Sequence, residues 1–188
     1  MDASIFHSSL SSHLALFNAL PALEADIEAA LGLMREALLR GNKLLVAGNG
    51  GSAADSQHFA AELVGRFQRN RRALPALSLT VDTSKLTAIG NDFGFEEVFA
   101  RQVEGLGNKG DVFIGISTSG ASANLLKAVE AAHAADMATV GLLGRDGGAL
   151  KALVGKAVVV PHMSTPRIQE AHIFLLHHWA EMLERACA

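Results

Sequence analysis

His58 and Glu62 stand four residues apart, a spacing that puts both side chains on one face of a helix. Gln169 and His177 are eight apart, two turns along and on roughly one side of a second helix. Two imidazoles, a carboxylate and an amide make a nitrogen and oxygen ligand set suited to zinc or a similar divalent ion, and no thiolate cluster competes for it. The same residues also read as a surface helix pair and as packing or capping groups. The chain has eight histidines. His172 and His178 share the final helix with His177, and His178 is expected to face away from it. Spacing alone leaves the four-residue site beside the plainer structural reading.

Two turns bear on what such a centre would act upon. Gly48-Asn49-Gly50-Gly51-Ser52 lies between a Leu-Leu-Val run and a helical pattern, where glycines admit a ligand close to the backbone and a helix start offers free amide donors. Ser117-Thr118-Ser119-Gly120-Ala121-Ser122 gathers four hydroxyls within six residues. It holds no Lys or Arg, so an anion there, a phosphate above all, would be held by oriented dipoles and hydroxyls. Ser and Thr also cap helices, but four of them directly after a buried strand favour the phosphate. Gly48, Gly50 and Ala53 also fit the loose G-x-G-x-x-[G/A] dinucleotide pattern. Its acidic partner would have to be Asp82, much too far along the chain, which leaves a nicotinamide enzyme as a minor alternative.

Such turns need strands before them and helices after. Lys43–Ala47, Ala76–Thr80, Val112–Ile116, Thr139–Leu143 and Ala157–Val160 are short runs rich in Val, Ile and Leu, and read as buried parallel strands. Amphipathic stretches at about 53–67, 85–106, 122–135 and 148–153 alternate with them, and a long helix at about 166–186 ends the chain. The alternation predicts a three-layer α/β/α fold on a doubly wound, five-stranded parallel sheet. In such sheets ligands bind beyond the carboxyl ends of the strands, where both turns fall. Two further helices are expected ahead of the sheet, the first carrying Phe6, Leu10, Leu14 and Phe17, the second starting near Pro21 and ending at Gly41-Asn42. No repeat or linker divides the 188 residues, so one domain is expected. The leading helix bears more apolar surface than the sheet requires, which points to cover by another subunit.

Composition excludes other classes. Hydrophobic residues at 49% and charged residues at 19% describe an ordinary globular protein. A net charge of −3, one Trp and no Tyr leave little for binding nucleic acid. No apolar run approaches the ~20 residues of a membrane span, and Met1-Asp2-Ala3-Ser4 lacks the pattern of a secretory signal. The one cysteine, Cys187, has no partner for an internal disulfide and reads as a bystander in a reducing compartment. The expected location is the cytoplasm. Among the basic residues Arg66, Arg69, Arg71 and Arg72, the last three read as a solvated face. Only Arg66 lies close enough to the helix of Glu62 to be a pocket residue.

Gly48-Asn-Gly-Gly-Ser52, Gln57-His-Phe-Ala-Ala-Glu62, Gly65-Arg66, Gly90-Asn-Asp-Phe-Gly94, Gly115-Ile-Ser-Thr-Ser-Gly120 and Arg167-Ile-Gln-Glu170 occur in this order over nearly the whole chain. In this combination the sequence resembles the sugar isomerase (SIS) domain family and, within it, the bacterial phosphoheptose isomerases. The resemblance implies one SIS domain over residues 1–188 and a homotetramer with active sites between subunits, the N-terminal helices in the interface. It implies conversion of sedoheptulose 7-phosphate to D-glycero-D-manno-heptose 7-phosphate, which feeds ADP-heptose and lipopolysaccharide core or related glycans. It also implies one Zn2+ per subunit on His58, Glu62, Gln169 and His177, with Glu62 and His177 as the acid/base pair. The family's phosphate site falls on Ser117, Thr118, Ser119 and Ser122, joined by Ser52. Asn49, Gly50, Gly51, Arg66, Asn91, Asp92 and Gln169 match positions near the sugar. Without the resemblance, Asn91-Asp92-Phe93-Gly94 is a plain turn.

Ketose-to-aldose conversion moves a proton from C1 to C2 through an enediol, with proton exchange at the two oxygens. Glu62 is expected to act at carbon and His177 at oxygen, or the reverse. A side chain fully engaged as a metal ligand is a poor proton carrier, so one of the two is expected to leave the metal when substrate binds. A different sugar phosphate is the nearest alternative substrate. An SIS-type regulator that binds a replication initiator without catalysis is the non-enzymatic one, and the presence of both Glu62 and His177 favours the enzyme. The chain departs from some relatives before Arg167, where Ser164-Thr165-Pro166 replaces a stretch bearing an Asp. Pro166 suits a first helical turn.

Overall fold

Five short apolar runs form the strands β1 (Leu44–Gly48), β2 (Ala76–Ser78), β3 (Val112–Ser117), β4 (Ala138–Gly144) and β5 (Lys156–Val160). They assemble into one parallel sheet in the order β2-β1-β3-β4-β5, with Leu44 opposite Val112 and Val112 opposite Ala138. The computed structural model describes residues 3–187. Met1 and Asp2, read above for a leader, lie outside them. The helices are α1 (Ala3–Ala19), α2 (Glu24–Leu39), α3 (Gly51–Val64), α4 (Thr83–Asp92), α5 (Ala100–Leu106), α6 (Ala123–Ala134), α7 (Gly148–Leu153) and α8 (Thr165–Cys187). The three-layer α/β/α expectation is met. No helix among the described residues is long and apolar enough to cross a membrane.

Alternation along the buried strands sends side chains to opposite faces of the sheet. Val46, Ile114, Ile116, Val140 and Leu142 pack with α2, α3 and α8 on one face. Leu45, Ala47, Phe113 and Leu143 pack with α5 and α6 on the other. Trp179 on α8 is fully buried and donates its indole N–H to Ile27 O on α2 at 3.3 Å, locking the two helices together. The strand order reverses between β1 and β3, so a crevice opens where the turns after these two strands diverge. Both sequence-identified turns lie there.

Three expectations change. The stretch 85–106 is not one helix but α4, a 3-10 turn at Phe95–Glu97 and α5. The break falls at Gly94, whose φ of +97° is left-handed backbone that a continuing helix cannot use. Pro21 opens a 3-10 turn, Leu20–Leu23, and the second helix begins only at Glu24. Arg71 is not solvated: its side chain is 2% exposed and pairs with Glu184. Its guanidinium donates to the carbonyls of Gly65 and Arg72 within the loop that follows α3. On α1, Ile5, Phe6, Leu10 and Leu14 stand exposed, Phe6 at 68%.

Two buried groups test the core chemically. His172 on α8 donates its Nε2–H to Leu143 O at 3.0 Å, while Nδ1 is buried without a partner. Burial lowers its pKa from 6.5 to about 4. Between those values the unfolded chain takes up a proton that the fold refuses. Stability is therefore full above about pH 6.5 and falls as pH drops toward 4, by up to about 3 kcal/mol. Urea denaturation of the parent across this range is expected to show that slope, and His172→Gln to remove most of it; equal slopes would reject His172 as the source. Cys187 is the second group. Its thiol is buried and burial pushes its pKa up, the opposite of a reactive cysteine.

Candidate active site

The helix periodicity that joined His58 to Glu62 holds in α3: His58 Nε2 lies 3.0 Å from Glu62 Oε1. From α8, His177 Nε2 reaches His58 Nε2 at 3.1 Å. One ligand atom from each of the three lies within 4.8 Å of the others. A tetrahedral zinc with bonds of about 2.0–2.1 Å would hold its ligand atoms roughly 3.3 Å apart. The three residues thus fit a divalent cation in donor type and in spacing. Two imidazole nitrogens aimed at each other satisfy at most one N–H between them, whereas a cation between them uses both lone pairs. His178, as expected, faces the other way, its Nε2 3.6 Å from Glu28 Oε1 on α2.

Gln169 lies two turns before His177 on α8. It lines one depression with His58 and another with the serine-rich turn, so it stands between the cation-fitting trio and the hydroxyls. Its amide packs where a side chain on Gly51 would have to go.

The second depression, about 250 Å³, is lined by Asn49, Gly50, Gly51, Ser52, Ser117, Thr118, Ser119 and Ser122. Two of its hydroxyls shape the loop: Ser117 Oγ accepts from Gly120 N at 3.0 Å, and Ser119 Oγ accepts from Ala121 N at 3.3 Å. Ser122 precedes α6 in extended backbone and its side chain caps nothing, so the bland helix-capping reading does not account for it. The first turn of α6 adds amide donors that have no partner within a helix. No cation lines this depression, which leaves hydroxyls and amides as its chemistry.

Several contributing residues carried no sequence signal. Asn124 is buried and exchanges two side-chain hydrogen bonds with Asn49, each 2.9 Å, tying the two turns together. Thr165 supplies a further side chain to the hydroxyl pocket from the start of α8, within the Ser164-Thr165-Pro166 departure. Asp55, one turn before His58, lines the neighbouring depression, and its Oδ2 is buried without a partner. Burial pushes its carboxyl up, against the opposing pull of His58. The spacing of Asp55 to His58 was available in the sequence; its burial was not. Phe67 sets its ring 5.7 Å from that of His177 at 31°.

Not every expected residue joins the group. Asn91 and Asp92 end α4 exposed, and the side-chain hydrogen bond between them, 2.7 Å, stays within the pair. Arg66 is exposed on the loop after α3. None of the three lines either depression.

The SIS domain profile matches residues 10–144. The phosphoheptose isomerase of Helicobacter hepaticus is 52% identical over 98% of this chain and 94% of its own length. That of Nitratiruptor sp. is 60% identical over 80% of this chain and 81% of its own. The solved structure of a phosphoheptose isomerase from Neisseria gonorrhoeae superposes with a TM-score of 0.86 at 45% identity, covering 96% of this chain and 99% of that one. The chain belongs to the SIS-domain family and, within it, to the phosphoheptose isomerases.

Proposed function

We infer that the protein isomerises sedoheptulose 7-phosphate to D-glycero-D-manno-heptose 7-phosphate, with Glu62 and His177 as the acid/base pair. The observation that carries this reading is the convergence of His58, Glu62 and His177 beside a hydroxyl-lined pocket. The phosphate takes the pocket of Ser52, Ser117, Thr118, Ser119 and Ser122, where it stays unreacted and its binding energy orients the far end of the sugar. Glu62 removes a proton from C1, and the electron pair forms the C1–C2 double bond as the C2 oxygen gains a proton from His177. The enediol then takes a proton at C2 and loses one from the C1 oxygen, leaving the aldose. The two proton carriers are each worth on the order of 10²–10⁴ in rate. His58, Glu62, Gln169 and His177 would hold a Zn2+, which when bound would stabilise negative charge on the reacting oxygens.

The chain acts as one SIS domain in a cytoplasmic homotetramer whose active sites lie between subunits. That arrangement accounts for the exposed apolar face of α1 and for the absence of Arg66, Asn91 and Asp92 from the lining of the two depressions, since these three would meet the sugar across an interface. Its product would enter ADP-heptose synthesis for lipopolysaccharide core or related glycans.

Purified protein incubated with sedoheptulose 7-phosphate and followed by NMR is expected to form heptose 7-phosphate. Treatment with a chelator is expected to remove at least ~90% of the rate, and Zn2+ to restore it. Sugar-phosphate binding without turnover by the Zn2+-loaded protein would replace this reading with the non-catalytic regulator.

A further inference from the structure

Arg71 and Glu184 form a buried ion pair, Nε to Oε1 at 3.5 Å, with the two side chains 2% and 1% exposed. Neither takes part in the proposed chemistry, yet each is committed to backbone near it. The Arg71 guanidinium donates to Glu62 O and Leu63 O, both at 2.8 Å, and to Gly65 O at 3.2 Å. The first two carbonyls belong to the last turn of α3, which has no intrahelical partners for them, and a cation there also suits the negative end of the helix dipole. Glu184 accepts from the N–H groups of Phe67, Gln68 and Arg69 at 3.0, 3.0 and 2.9 Å. Burial pushes its carboxyl up, but these donors and Arg71 outweigh it and hold the pKa below the usual carboxylate range.

Geometry links the pair to the acid/base residues. Arg71 fixes the carbonyl of Glu62 itself. Glu184 is seven residues beyond His177, two turns along the same side of α8. Between them the pair pins the loop that sets Phe67 against the His177 ring. We propose that Arg71 and Glu184 are positioning residues that hold the end of α3 to α8 and so fix Glu62, Phe67 and His177 relative to one another. The inference rests on the catalytic roles given above to Glu62 and His177. A shift of about 1 Å between reacting groups costs up to roughly a hundredfold in rate, so a clamp of this kind acts on kcat before it acts on substrate affinity.

The test uses Glu184→Gln, which makes one carboxylate oxygen an amide donor facing N–H donors, and the milder Arg71→Lys, which keeps charge but cannot span the carbonyls. Asp111→Asn is the control. It weakens a half-buried ion pair, with Lys43 at the amino ends of β1 and β3, far from the two turns. Each protein is examined below its melting temperature for kcat, KM and the 1H–15N resonances of the His177 imidazole. Expected are a ten- to hundredfold fall in kcat for both clamp variants, KM within about threefold, and shifted His177 resonances. Asp111→Asn is expected to lose thermal stability while keeping parent kcat and parent resonances. Clamp variants with parent His177 resonances and kcat, or an equal kcat loss in Asp111→Asn, would overturn the proposal. If the parent itself shows no turnover, the isomerase reading fails, and the imidazole resonances alone decide whether the clamp positions His177.

Discussion

Glu62→Gln is expected to lower kcat for sedoheptulose 7-phosphate by on the order of 10²–10⁴ and to leave KM within about threefold. The amide keeps the shape of the side chain and an oxygen to face His58, but it cannot accept a proton. His177→Ala is expected to lose a similar factor, together with one of the three converging donor atoms. Activity alone does not separate the two roles, and exchange does. In deuterated water, a base acting at carbon exchanges the C1 proton of the unreacted ketose for deuterium, whether or not product forms. If Glu62 is that base, its Gln variant loses incorporation along with turnover, whereas His177→Ala retains slow incorporation while failing to complete the oxygen proton transfers. The reverse pattern assigns carbon to His177. Metal content measured for each variant separates a lost ligand from a lost proton carrier. Parent-like kcat in metal-loaded Glu62→Gln would remove Glu62 from the chemistry altogether.

Gly120→Ala is expected to raise KM more than tenfold and to cost about 3 kcal/mol of stability or more. Gly120 has φ +64°, which alone strains any other residue. Its missing Cβ would also overlap the Gly147 carbonyl in the turn ahead of α7. Relief by Gly120 moves its N away from Ser117 Oγ, the bond that folds the hydroxyl turn, and relief by Gly147 displaces the turn ahead of α7. Thermal melts with and without sugar phosphate read both effects, because a damaged pocket loses the upward shift that ligand gives the parent. A variant that melts lower but keeps its ligand-induced shift would mean that the turn tolerates the change.

Much of this was legible in residue order. Runs such as Leu44–Gly48 and Val112–Ser117 are buried throughout and therefore read as unbroken apolar stretches. His58 and Glu62 met because four residues make about one helical turn. Gln169 and His177 fell on a common side of α8 for the same reason. Contacts between elements were less accessible. Arg71 looked like one more charge in a basic run because its partner lies more than a hundred residues away. Asn124 sat in a helical pattern with nothing to mark its exchange with Asn49. The break at Gly94 was hidden because residues on both sides keep an amphipathic pattern, and a glycine announces its φ only in three dimensions. Asn91, Asp92 and Arg66 entered through resemblance, and one chain alone does not gather them.

The way the hydroxyl turn and α3 share one starting point bears on which sugars the site can tell apart. Ser52 stands at the start of α3, with His58 and Glu62 six and ten residues further on. At about 1.5 Å per residue, that is roughly 9 and 15 Å of continuous helix between the proposed phosphate end and the proposed reacting end. Asn49 and Asn124 tie the origin of this helix to the hydroxyl turn. The backbone of α3 thus serves as a ruler. On the proposed function, hydroxyls along the turn would govern how tightly a phosphate is held, while chain length would be measured against a helix of fixed rise. Preference for a seven-carbon sugar over shorter ones would accordingly reside in the rigid span from Ser52 to Glu62 and not in the hydroxyl turn alone.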